Sequence, residues 1–151
     1  MGSLKTVIDE LAKHSLLVFF IILWGVSMIL YPVCSLGSWG FGVEDLYDVL
    51  WILANLVELV AGVFLMLFGL KLMNANFLAG LQIEKTLVYF LLLWAGQFFF
   101  WGLSDLIYFG GILCILAALV YIIAGVILAL FAWKLLTEKE PYSSSPPPPP
   151  Q

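Results

Sequence analysis

Four apolar runs, each about as long as a helix that crosses a bilayer, constrain what this chain can fold into more than any other feature. They cover residues 16–34, 46–70, 87–107 and 112–133. Crossing about 30 Å of hydrocarbon takes about 20 helical residues. In lipid every backbone N–H and C=O must be satisfied by the protein itself, which leaves helices or a closed barrel. Runs this long and continuously apolar lack the alternation of barrel strands, and their leucines and alanines favour helix. The composition agrees: 64% of the residues are apolar and 11% charged, against about 25% charged in ordinary soluble domains. The expected fold is all-α, an integral membrane four-helix bundle. Residues 1–14 would form an N-terminal segment, residues 15–136 the membrane domain and residues 137–151 a disordered proline-rich tail.

The lysines orient the bundle. Lys5 and Lys13 precede the first run, Lys71 and Lys85 lie between the second and third, and Lys134 and Lys139 follow the fourth. With four crossings all six fall on one side, while Glu44, Asp45, Asp48 and Asp105 fall on the other. Short loops rich in lysine stay cytoplasmic, so the N- and C-termini are both expected to be cytoplasmic. All six basic residues are lysines and no basic patch exists, which excludes nucleic acid as a partner class.

Outside the runs, Leu4, Val7, Ile8 and Leu11 recur at helical spacing. They suit either a short amphipathic helix on the cytoplasmic surface or a plain extension of the first span. Lys5–Asp9 and Asp9–Lys13 are i,i+4 pairs. The opening M-G-S-L-K-T fits an N-myristoylation pattern at Gly2, although Gly-Ser after Met is also what an expression vector leaves. Residues 35–44 read as an outer loop, with Gly37, Gly40 and Gly42 permitting turns and Trp39 and Phe41 suiting the headgroup layer. Residues 71–85 read as an inner loop lying against the membrane surface. The five prolines of the tail, Pro146–Pro150, favour polyproline II and could dock into an SH3-, WW- or EVH1-type module, or remain a solvated end.

Within the spans, Glu58 stands out. A charged group at mid-span costs about 2.5–3.5 kcal/mol or more. Asn55 lies three residues earlier, and Gln97 lies at similar depth in the third span, so Asn55, Glu58 and Gln97 are expected to form one polar cluster. Glu58 is then either a proton or cation site or a protonated hydrogen-bond donor that ties two helices together. A proton path needs several ionisable groups in series, and the span interiors supply one. Gly111, Ala118, Gly125 and Ala132 recur every seven residues and predict a close-packed seam on the fourth span. Cys34 and Cys114 both fall near outer span ends and would form a disulfide only if the first and fourth helices touch. The aromatic run 98–101 reads as bulk filling and interface anchoring.

No chemistry-bearing constellation emerges. His14 is the one histidine, and no metal-ligand, paired-carboxylate or Ser-His spacing is present. No enzymatic activity, cofactor or metal is expected. The stretch G-Q-F-F-F-W-G-L, residues 96–103, followed by a small-residue fourth span, resembles the COPI-associated, Golgi-vesicle family of small four-span proteins. That family carries Gly-Arg-Gly before its aromatics. Here Gln97 stands in place of the Arg and Phe98 in place of the second Gly, and Glu58 lies deeper than the family's acidic residue. The resemblance covers a minor part of the chain. It implies residence in Golgi or vesicle membrane and a part in vesicle trafficking, with the plasma membrane as the other candidate location. The expected role is association: a complex subunit or organiser whose partners are the lipid bilayer and other membrane protein subunits. The competing reading is proton or cation transport through Glu58.

Overall fold

A computed structural model describes residues 2–39, 43–73, 80–108 and 111–137. Five helices account for nearly all of them: α1 (Gly2–Ala12), α2 (Ser15–Trp39), α3 (Leu46–Leu72), α4 (Ile83–Tyr108) and α5 (Ile112–Thr137). The last four are long and apolar enough to cross a membrane. At 1.5 Å per residue they run about 38–40 Å, longer than the hydrocarbon core, so their ends reach the headgroup layer or the helices tilt. The protein is an all-α, multi-pass bundle with the start of α2 and the end of α5 on the same face.

Each helix outruns its apolar stretch. α2 runs through Pro32 and on past residue 34 to Trp39, so Ser35–Trp39 is a helix end and not the start of a loop. Gly37 sits in that helix with open space around it and serves no turn; Gly40, Phe41 and Gly42 lie outside the described residues. Lys71 falls in the last turn of α3 and Lys134 in the last turn of α5. Cations there complement the negative end of the helix dipole. The expected inner loop is therefore shortened from both ends, since α4 already includes Glu84 and Lys85.

At the opposite end of α3, Asp45 is the N-cap. Its side chain accepts from the Asp48 N–H at 3.1 Å, and Asp48 accepts in return from the N–H groups of Glu44 (2.8 Å) and Asp45 (3.3 Å). Two acidic residues thus satisfy donors that lipid could not. Asp45→Ala is expected to cost about 0.5–2 kcal/mol, as for other N-cap truncations, measurable as a lowered midpoint for thermal unfolding in detergent.

α1 is a separate element, not an extension of α2. The chain breaks at Lys13–His14, where both N–H groups bond three residues back, to Glu10 and Leu11 (3.1 Å each). Ile8 is buried with Val18, Phe68 and Leu72, with Leu4 and Leu11 packed beside them. The helix is therefore docked on the N-terminal end of α2 and the C-terminal end of α3. Val7, expected on the same face, is exposed. Lys13 pairs with Glu10 at i,i+3 and not with Asp9.

The membrane helices pack in chain order. α2 lies against α3, α3 against α4, and α4 against α5, with no extensive contact between α2 and α5. Each membrane helix carries a seven-residue stripe of buried, mostly small residues on a face that meets a neighbour. α2 buries Val18, Gly25 and Pro32; α3 buries Ala54, Ala61 and Phe68 beside Asn55, Gly62 and Gly69; α4 buries Val88, Ala95 and Gly102; α5 buries Ala118, Gly125 and Ala132. Lipid tails remove the usual apolar driving force, so close backbone approach and dispersion hold such helices together. The contacts are tight. A Cβ on Gly25 would lie 2.6 Å from the Met66 nitrogen, and one on Gly62 would lie 2.8 Å from the Gly25 oxygen. A Cβ on Gly125 would lie 2.8 Å from the Ala95 oxygen, and one on Gly102 2.8 Å from the Ala118 oxygen. Gly111 is not part of the seam. It precedes α5 with φ +105°, a backbone conformation that suits glycine, and accepts from the Ile115 N–H at 3.2 Å.

Above these stripes the large rings interlock. Trp24 of α2 meets Trp94 of α4 edge-on at 5.3 Å, Phe90 and Phe98 flank Trp94 at 5.3 and 5.4 Å, and Phe98 stacks on Tyr121 of α5 at 5.8 Å. α5 is the most apolar span and the least enclosed, with only its three small stripe residues buried.

Candidate functional site

The polar residues inside the spans divide between two places. Asn55 is fully buried on the α3 stripe that carries Gly62 and Gly69, which face α2. Its amide donates to the Trp51 carbonyl one turn back at 2.8 Å, and its side-chain oxygen has no hydrogen-bond partner. Glu58 is three residues along and points elsewhere. It lines a cavity of about 400 Å³ shared with Gln97, Phe98, Trp101 and Asp105 of α4 and Tyr121 of α5. The expected three-residue cluster is therefore split: Glu58 and Gln97 come together and Asn55 does not join them. A helix turns about 100° per residue, so a three-residue step displaces two side chains by about 60°. Here that angle separates the α2 face of α3 from the α4 face.

The cavity follows from the packing. α3 and α5 both lie against α4 but not extensively against each other. Between them one face of α4 stays uncovered, and Gln97, Trp101 and Asp105 lie on it at i, i+4 and i+8. Glu58 closes one side and Tyr121 the other. From Gln97 to Asp105 is about 12 Å along the helix, and Asp105 is three residues from the end of α4 at Tyr108. The groove thus runs from mid-span to the end of the bundle where the acidic residues 44, 45 and 48 also lie. Among the described residues Glu58 and Asp105 make no hydrogen bond or ion pair, and no basic side chain lines the groove. The side-chain oxygen of Gln97 is buried without a hydrogen-bond partner.

Asp105, Phe98, Trp101 and Tyr121 were not singled out by the sequence reading as site residues. The i, i+4, i+8 spacing of Gln97, Trp101 and Asp105 was a usable signal, because it marks one helical face. Nothing in the sequence tied Tyr121 to that face. The run 98–101 is also more than filler: two of its four rings line the groove, and Trp101 lies seven residues inside the end of α4.

Other candidates resolve differently. Cys34 and Cys114 are not bridged, since they sit on α2 and α5, which share no extensive contact. Among the described residues no group of three His, Cys, Asp or Glu side chains is placed to hold a metal. Gly2 is the first residue of α1. Lys139 and the prolines Pro146–Pro150 lie outside the described residues. Compared with protein-family models, curated proteins and solved structures, the chain has no significant match.

Proposed function

We propose that this chain is a small, non-enzymatic integral membrane protein that works by association, as a subunit or organiser of a larger membrane assembly. The observation that carries this reading is the open edge at α5. Among the described residues that helix is held along a single stripe by α4 and has no second close neighbour, whereas helices inside a closed bundle have two. Membrane helices associate through packing and polar contacts, and an edge helix of 26 residues offers a second face for both. The lysine distribution supports cytosolic ends for both termini, which would give the Pro146–Pro150 segment access to an SH3-, WW- or EVH1-type module. The resemblance of residues 96–103 to the Golgi-vesicle family supports residence in that membrane system. Purification of the tagged chain in a mild detergent is expected to recover it with stoichiometric membrane partners. Recovery of the chain alone and monodisperse would remove the reading.

A second reading is favoured by one specific feature: Glu58 shares its groove with a second carboxyl, Asp105. Two ionisable groups in series suit proton or cation movement better than one. Glu58→Gln separates the readings, because an amide keeps the hydrogen-bonding capacity but exchanges no proton. Under the association reading, vesicles containing wild-type and Glu58→Gln protein show equal pH-driven flux. A pH-dependent flux abolished by the substitution assigns transport instead.

A further inference from the structure

We propose that the groove between α3 and α5 binds a primary organic ammonium ion carrying an apolar or aromatic group. The inference does not depend on the association reading, since it uses the groove lined by Glu58, Gln97 and Asp105 and not the free face of α5.

Four independent observations converge on that chemistry. The cavity, at about 400 Å³, falls in the range of small-molecule sites, about 300–1,000 Å³. Its ionisable groups are the carboxyls of Glu58 and Asp105, and among the described residues no lysine or histidine is on the lining to neutralise them when ionised. A carboxylate inside a membrane domain is costly without a counter-charge, and a bound cation supplies one. Phe98, Trp101 and Tyr121 present three aromatic rings to the same space. Such rings attract cations through their faces and accept apolar groups through their area. Finally, the side-chain oxygen of Gln97 is buried on this wall without a donor, and an ammonium group carries three donors and no acceptor.

The alternatives fit less well. A hard divalent cation requires six or more oxygen ligands at about 2.0–2.6 Å, and the lining supplies two carboxyls, one amide and one phenol among large rings. An anion would meet two carboxyls and no cationic partner. The depth profile fits an elongated amine: Asp105 lies at the outer end, where it draws a cation in, while Glu58 and Gln97 lie about 12 Å deeper, where the ammonium group would end. The rings between them would cover its apolar portion.

The test is equilibrium binding of labelled 2-phenylethylammonium to the full-length protein in lipid nanodiscs, with the uncharged 2-phenylethanol as control. The expected result is saturable binding of one amine per chain and none of the alcohol. Glu58→Gln and Trp101→Leu should each weaken binding at least tenfold, while Tyr31→Leu, on an exposed face of α2, leaves it unchanged. Asp105→Asn, nearer the membrane surface and less demanding on folding, should slow association more than dissociation. Circular dichroism of each variant separates loss of binding from loss of fold. Three results overturn the proposal: no saturable amine binding, equal binding of the alcohol, or undiminished affinity in the folded Glu58→Gln and Asp105→Asn proteins. A photo-crosslinker at Tyr121 that captures a basic transmembrane helix, with no amine bound, would also overturn it by making the groove a helix-docking site. Co-purifying partners recovered without amine binding would leave the association reading intact while sinking this one.

Discussion

Gly62→Leu is expected to destabilise the bundle by about 1–3 kcal/mol or more, the range for forcing a side chain into a packed interface. Already at Cβ the new residue would sit 2.8 Å from the Gly25 carbonyl oxygen and 2.9 Å from the Met28 Cβ. Gly25→Leu should cost at least as much, because its Cβ would meet the nitrogen and Cα of Met66 at 2.6 and 2.9 Å. These are backbone atoms, and they move only if α2 and α3 separate. Separation would also pull Met28 away from Ala61, Leu65 and Phe90, so the damage reaches α4. Folded domains are typically stable by about 5–15 kcal/mol, so one such change removes a large share. Gly37→Leu is the internal control: it lies on the same helix with nothing within 4 Å, and replacing glycine in a helix adds propensity. Unfolding in mixed micelles, followed by circular dichroism, should rank Gly25→Leu and Gly62→Leu far below wild type and Gly37→Leu at or above it. Equal midpoints for all three would show that the α2–α3 approach is looser than described.

The second large effect is expected at the other end of the helix series and differs in kind. Gly125→Leu or Gly102→Leu should undock α5 and leave α2–α4 assembled. At Gly125 the added Cβ meets the Ala95 oxygen at 2.8 Å; at Gly102 it meets the Ile122 side chain at 2.6 Å and the Ala118 oxygen at 2.8 Å. Among the described residues α5 has no other extensive partner to retain it. A hydrophobic helix released from its neighbour stays inserted, because lipid solvates it as well as protein does. Helix content should therefore change little while proximity is lost. Phe98→Cys with Tyr121→Cys, in a Cys34→Ser, Cys114→Ser background, gives the readout: the rings at these positions stack at 5.8 Å, so a short bifunctional reagent should join them. Cross-linking is expected to fall several-fold when Gly125→Leu is added, with circular dichroism unchanged. Persistent cross-linking would mean that α5 is held by something other than its small-residue stripe.

The span count, the helical class and a shared face for the start of α2 and the end of α5 were legible in the sequence because each is dictated locally. A helix that must satisfy its own hydrogen bonds in lipid is specified by its own composition and length, and the position of each lysine relative to a span is a property of chain order. The α5 seam was legible at Ala118, Gly125 and Ala132 for the same reason. The sequence also contained the matching stripes at Gly25, Gly62, Ala95 and Gly102, but a lone glycine or alanine among leucines carries no signal until its partner is known. Gly111 continued the spacing by coincidence and sits at the N-terminal end of α5 with positive φ.

What only the tertiary structure decided is which helix faces lie together. The residues 55, 58 and 97 share similar depth, and depth is readable from sequence; azimuth about a helix axis relative to a neighbour is not. That angle sends Asn55 toward the α2 side and Glu58 toward α4 and brings Tyr121 to the Glu58–Asp105 groove, while the packing order keeps α2, with Cys34, away from α5, with Cys114. The physical reason is that lipid makes every apolar face equally comfortable. Hydropathy therefore fixes that a helix crosses the membrane, and only the fit of one backbone against another fixes what it touches.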